Sequence, residues 1–232
     1  MSHSPPSASH PTFPVFLRLE GRPCTVFGGG GTFVEEKVRG LLDAGAVVRL
    51  VALELVPELR RDAANGLFTH VRRTFRRGDL HQTFVAIAER DALHLDRIEA
   101  EAKRRQVPLN VVDDTPRCSF ILASVVRRGD LAVAVSTTGR APALAVRLRQ
   151  SLERTLGPQH ARFLELAEQL REPLAARIPG FEPRRDVWYR LVDSDVLDLL
   201  AAGDESAALA QIAQITGVDL GSFDAEELRE TA

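Results

Sequence analysis

Cys24-Thr25-Val26-Phe27 is a short apolar run that passes straight into Gly28-Gly29-Gly30-Gly31, and a stretch with Val34, Val38, Leu41 and Leu42 at helical spacing follows at once. A strand, a glycine turn and a helix in that order leave few folds open. Glycines let the backbone come close to a pyrophosphate, and the helix start offers unpaired N–H groups with a partial positive charge. Gly29 to Val34 reads G-x-G-x-x-V, with Val34 larger than the Gly or Ala that usually lets helix and strand pack closely. A turn that needs glycines for backbone reasons alone is the competing account. Its setting between a strong strand and a strong helix favours nucleotide binding through Gly29, Gly30, Gly31, Thr32 and Phe33.

The same rhythm continues. Val47–Ala52 reads as a second strand with Leu53 and Glu54 at its tip, and Val56–Ala64 as a helix with Pro57 in its first turn. Glu54 fits either a ribose hydroxyl contact or plain loop exposure. Leu67–Val71, Phe84–Ala88 and Leu109–Val112 read as further strands, the second of them almost wholly apolar and so central. Ala92–Gln106 reads as a helix with Leu93, Leu95, Ile98 and Ala102 inward. Alternating strands and helices predict an α/β, Rossmann-like, doubly wound parallel sheet. Beyond Asp113, Phe120–Val126 and Leu131–Val135 suit an antiparallel hairpin joined by Arg127-Arg128-Gly129-Asp130, and Pro142 opens a helix through Leu156. The remainder is helical, with Ser194 and Asp204 placed as N-caps. The expected divisions are a leader over 1–12, a nucleotide-binding domain over 13–115, a strand–helix segment over 116–157 and a helical domain over 158–232.

A formal net charge of −2 over 232 residues argues against a nucleic-acid binder. No apolar run approaches the roughly 20 residues of a membrane-spanning helix, and Met1–Pro11 carries neither a basic start nor an apolar centre, so the expected location is the cytoplasm. Cys24 and Cys118 match no zinc spacing and read as packing residues. Of the histidines, His70, His81 and His94 read as surface groups, and no metal ligand set is expected.

Ordered blocks then carry a resemblance. Phe13-Pro14-Val15-Phe16-Leu17, the glycine run with Glu35 and Lys37, Leu41-Leu42-Asp43-Ala44-Gly45-Ala46, Asn110-Val111-Val112-Asp113 and Val133 through Pro142 resemble the precorrin-2 dehydrogenase module found alone or at the N-terminus of siroheme synthase. Arg184-Arg185-Asp186-Val187-Trp188 looks like that family's C-terminal region, and the expected form is a stand-alone enzyme. The resemblance implies NAD-dependent oxidation of precorrin-2 to sirohydrochlorin by a homodimer paired through the segment after the nucleotide domain, with ferrous iron insertion in some members. Departures fall at Val34 and Glu36 and at Glu89-Arg90-Asp91.

Asp113 follows the last parallel strand, at the carboxyl edge where such sheets bind ligands. It matches the family's essential aspartate, which makes it the expected general base. Asp114 reads as a turn residue before Thr115-Pro116. The eight carboxylates of precorrin-2 suit arginine forks, so Arg76 is a substrate candidate within the run Arg72, Arg73, Arg76 and Arg77; a solvated charged loop explains that run equally well. Ser136 and Thr137 are further substrate candidates. Two other functions stay open: a non-catalytic nucleotide or tetrapyrrole binder, and a chelatase without the redox step.

Overall fold

The computed structural model describes residues 12–29 and 32–222, so all but the last residue of the expected leader lies outside the described residues. The chain forms two compact units that divide between Leu122 and Ala123.

The first unit is a five-stranded sheet in the order β3-β2-β1-β4-β5, built from β1 (Pro23–Phe27), β2 (Val47–Val51), β3 (Thr69–Val71), β4 (Val85–Ala88) and β5 (Leu109–Val111). Every pairing is parallel, with Val26 opposite both Leu50 and Ile87. Helices α1 (Thr32–Asp43), α2 (Pro57–Ala64) and α3 (Leu95–Arg105) make the crossovers. A sheet with both faces covered needs apolar residues on both. Val26, Leu50 and Ile87 meet Val34, Val38 and Leu59 on one face. On the other, Phe27, Ala86 and Val111 meet Ile98, Ala102 and Phe75. Val34, oversized for the glycine pattern, is one of the buried residues that join α1 to the sheet. Gly45 closes α1 with φ +76, the left-handed value expected of a glycine there. The doubly wound parallel sheet is therefore as expected.

Some ends differ. The helix expected from Ala92 starts at Leu95, because His94 takes a left-handed φ of 70°. Leu93, read as inward, is consequently 58% exposed. Strand β6 is Ser124–Arg128 and not Phe120–Val126, so the hairpin turn shrinks to Gly129 and Asp130, with Gly129 at φ +56.

In the second unit β6 pairs antiparallel with β7 (Leu131–Val135), and helices α4 (Pro142–Thr155), α5 (Pro158–Arg177), α6 (Phe181–Val192), α7 (Val196–Ala201) and α8 (Glu205–Thr216) follow. Arg128 ties the hairpin to the end of α4, donating to the carbonyls of Leu156 (2.7 Å) and Glu153 (3.1 Å). The core of the bundle is Leu166, Leu170 and Leu174 of α5 against Val187 and Leu191 of α6, Val196 of α7 and Ile212 of α8. Asp204 caps α8 as expected, accepting the Ala207 N–H at 3.0 Å. Ser194 sits one residue before the α7 cap position, held by Asp195, although its Oγ still accepts the Val196 N–H at 3.4 Å.

Two buried carboxylates fix the loop from β3 to β4. Asp79 takes a two-pronged bond from Arg73 (2.7 Å each) and the Arg76 N–H (2.7 Å). Glu101 of α3 takes the Gly78 N–H (3.0 and 3.1 Å) and Arg105 Nε (2.7 Å). Burial would raise both carboxyls, but these donors outweigh it and hold both below their ordinary values. A carboxyl with a depressed folded pKa stabilises fully above its unfolded value, and that contribution is lost as pH falls through the folded value. Denaturant melts of the chain should therefore show stability falling below about pH 4. In Asp79→Asn the acid slope should be shallower; an unchanged slope would contradict the role given to this pair.

Candidate functional site

In a doubly wound sheet the ligand crevice forms outside the carboxyl ends of the strands, where neighbouring crossovers leave in opposite directions. Here that point lies between β1 and β4. A crevice of about 270 Å3 sits at the tips of β1, β2 and β4, bordered by Gly28, Gly29, Leu53, Glu54, Phe75 and Glu89.

The turn is built for close approach. Gly28 has φ +113, and its N–H donates to the Val51 carbonyl at 3.2 Å. A Cβ on Gly29 would stand 2.3 Å from the Glu54 carbonyl oxygen and 2.7 Å from the Ala52 Cβ, which no backbone tolerates. Gly29 in turn accepts the Val56 N–H at 3.2 Å, so the turn is pressed against the tip of β2. That tip is braced from β3, where the His70 ring lies 3.0 Å from the Ala52 carbonyl and Arg72 Nε donates to the Leu53 carbonyl at 3.4 Å.

Of the expected cofactor residues, the structure brings Gly29, Leu53 and Glu54 together in this crevice. Gly30 and Gly31 lie outside the described residues, as does the Thr32 side chain. Phe33 is not part of the lining; it is half-exposed on α1, with the Lys37 ammonium 5.8 Å from its ring centre. Gly28 and Phe75 border the crevice without being marked as ligand positions by the sequence pattern, whereas Glu89 borders it where the resemblance placed a departure at the cofactor crevice. Gly28 is readable as the first glycine after the strand. Phe75 reaches the crevice only through the folding of the β3–β4 loop, which no local pattern announces.

Asp113 stands beyond β5 at the same carboxyl edge, exposed and with φ +57. A non-glycine residue there is uncommon, and aspartate is among those that tolerate it. The next residues along the chain hold it in place. The Asp114 N–H donates to the Val111 carbonyl at 3.2 Å, and the Asp114 carboxylate meets Arg117 at 3.3 Å. Arg117 also binds Asp96 (2.6 Å) and Glu99 (2.7 Å) on α3. Cys118 is the packing residue expected: its sulfur accepts the Val111 N–H at 3.2 Å, and burial pushes the thiol pKa up. Asn110 is buried and donates to the Phe120 carbonyl at 3.0 Å. Amid this bracing the Asp113 carboxylate accepts no hydrogen bond from the described residues, which leaves it open to a ligand.

The arginine run divides by partner. Arg73 is committed to Asp79 and Arg72 to Leu53. The Arg76 side chain is exposed, and it forms no ion pair among the described residues. Ser136 and Thr137 belong to the second unit, between β7 and α4. Ser136 Oγ accepts the Thr138 N–H (3.2 Å) and Thr137 Oγ1 accepts the Ala141 N–H (3.3 Å), so each hydroxyl keeps its proton for an outside acceptor. Among the described residues no group of three or more His, Cys, Asp or Glu side chains is arranged to hold a metal ion. No helix among them is long and apolar enough to cross a membrane.

A parallel switch-point crevice with a glycine turn, followed by a hairpin and a helical bundle, defines an α/β nucleotide-binding class of protein. The comparisons narrow it. Residues 15–124 match a family described as putative NAD(P)-binding, residues 128–155 one described as sirohaem biosynthesis protein central, and residues 159–215 the sirohaem synthase dimerisation region. The last description falls on α5 to α8, whereas the resemblance had placed pairing in the segment 116–157. Siroheme synthase of Photobacterium profundum is 39% identical over 205 residues, 88% of this chain and 43% of that protein. Siroheme synthase of Thioalkalivibrio sulfidiphilus is 37% identical over 214 residues, 92% of this chain and 44% of that protein. The chain thus spans less than half the length of these curated relatives. A solved structure described as SirC, precorrin-2 dehydrogenase, shares the fold, with a TM-score of 0.68 and 23% identity over 88% of this chain and 100% of that one. Matches to an NAD(P)-binding model and two sirohaem synthesis models thus follow one another along residues 15–215, and the chain is similar to a part of siroheme synthases.

Proposed function

We propose that this chain oxidises precorrin-2 to sirohydrochlorin with NAD in siroheme formation, as a cytoplasmic homodimer. The observation that carries the reading is the Gly29 turn, held without room for a Cβ at the switch point of a chain whose relatives are siroheme synthases. Gly29, with no room for a Cβ, is assigned to the pyrophosphate, and Leu53 and Glu54 to the adenosine side.

NAD, when bound, would supply the acceptor for the hydride that leaves the macrocycle. The accompanying proton needs a base, and the Asp113 carboxylate, which accepts no hydrogen bond among the described residues, takes it and passes it to solvent. Arg76 and the hydroxyls of Ser136 and Thr137 are assigned to substrate carboxylates, which accept from guanidinium and O–H donors. Pairing of two copies is assigned to the region of α5 to α8. Insertion of ferrous iron is a separate reading, supported only by the family; it requires sirohydrochlorin and iron to give siroheme without NAD.

A calorimetric titration tests the cofactor assignment. NAD should bind one to one, with Kd at or below about 1 mM, or roughly −4 kcal/mol. A folded chain that binds no NAD sinks the proposal and favours a degenerate binder or a chelatase, which the iron assay then separates.

A further inference from the structure

The amino edge of the parallel sheet, opposite the crevice, carries a second cleft that none of these roles uses. Its volume is about 550 Å3, within the range of small-molecule sites. Arg77 and Gln82 come from the loop that enters β4, and Arg104 and Arg105 from the end of α3 before β5; Leu80 and Val107 lie among them. The glycine turn and Asp113, by contrast, follow their strands.

The cleft is positively charged, its Arg77, Gln82, Arg104 and Arg105 are exposed, and a buried carboxylate links the loop before β4 to the end of α3. Glu101, 2% exposed, ties the Gly78 N–H on one wall to Arg105 on the other. Its depressed pKa keeps it ionised, so it balances one guanidinium. Arg104 meets the same carboxylate only at 3.8 Å, and the Arg77 side chain has no hydrogen-bond or ion-pair partner among the described residues. Basic residues in a last helical turn ordinarily counter its carbonyl end. Lys103, paired with Glu99, is one such residue, and the Val107 and Gln106 N–H groups already cap the Ala102 and Lys103 carbonyls. That use does not account for Arg77, which reaches the cleft from another element, nor for Gln82 held beside it at φ 59°.

We propose that this cleft binds a compact multivalent oxyanion, a phosphate ester or a small polycarboxylate, through the forks of Arg77, Arg104 and Arg105. Guanidinium forks match the oxygen spacing of both kinds of ligand. The site is independent of the cofactor reading and stands or falls without it.

Pyrophosphate and citrate, titrated separately into the full chain by calorimetry, distinguish the two sources. At least one should bind saturably at one site with Kd at or below about 1 mM. Arg77→Ala/Arg104→Ala should weaken it at least tenfold, and raised salt should weaken it further. Circular dichroism checks the fold, and Arg77→Ala alone serves if the double variant does not fold. Absence of saturable binding by either anion overturns the proposal. So does binding left unchanged by the substitutions, the result expected if the anion sat at the glycine turn.

Discussion

Gly29→Ala is expected to weaken NAD binding by about 10- to 100-fold. The added methyl would meet the Glu54 carbonyl at 2.3 Å and the Ala52 Cβ at 2.7 Å, neither of which is a flexible side-chain end. The turn must lift away from β2, breaking the Val56 N–H bond to the Gly29 carbonyl and moving the groups proposed to hold the cofactor. Overpacking of this kind costs about 1–3 kcal/mol, and each 1.4 kcal/mol is tenfold in affinity. Gly40→Ala supplies the contrast. It lies within α1, nothing stands within 4 Å of the position a Cβ would take, and the change should stabilise the chain by about 0.5–1 kcal/mol with NAD affinity unchanged. Thermal melts and the NAD titration read both. A Gly29→Ala variant with wild-type affinity would show that the turn does not hold the cofactor.

Asp113→Asn is expected to lower kcat by about 10²- to 10⁴-fold, the usual range for removing a general base. The choice of Asn matters. Residue 113 has φ +57, which Asn tolerates at least as well as Asp, so the substitution removes the charge and leaves the backbone. Asp113→Ala would add backbone strain and confuse the two effects. Because Asp113 does not line the glycine crevice, the Kd for NAD should stay within about twofold in a titration. Full activity in the Asn variant would remove Asp113 from the mechanism.

The sheet was legible because its signals are local. Cys24–Phe27 running into glycines, Val85–Ala88 as a wholly apolar strand, and Gly45 after a periodic helix each declare themselves within a few residues. The start of α3 was not legible, since its apolar period extends back to Leu93 while the left-handed His94 stops the helix from beginning before Leu95. The arginine run shows the same limit. Composition groups Arg72, Arg73, Arg76 and Arg77, but Asp79 claims Arg73, the Leu53 carbonyl claims Arg72, and Arg77 turns to the amino edge. Partners set by folding cannot be read from a charge run. Asn110 and Asp113, close together in one motif, separate in role: one carries hydrogen bonds inside the fold and the other stands open.

The most direct measurement of the central claim is turnover: purified chain, precorrin-2 and NAD, with NADH and sirohydrochlorin followed together by absorbance. The account predicts one NADH for each sirohydrochlorin formed, and loss of both signals in Asp113→Asn. A folded chain that binds NAD yet yields neither product would contradict it.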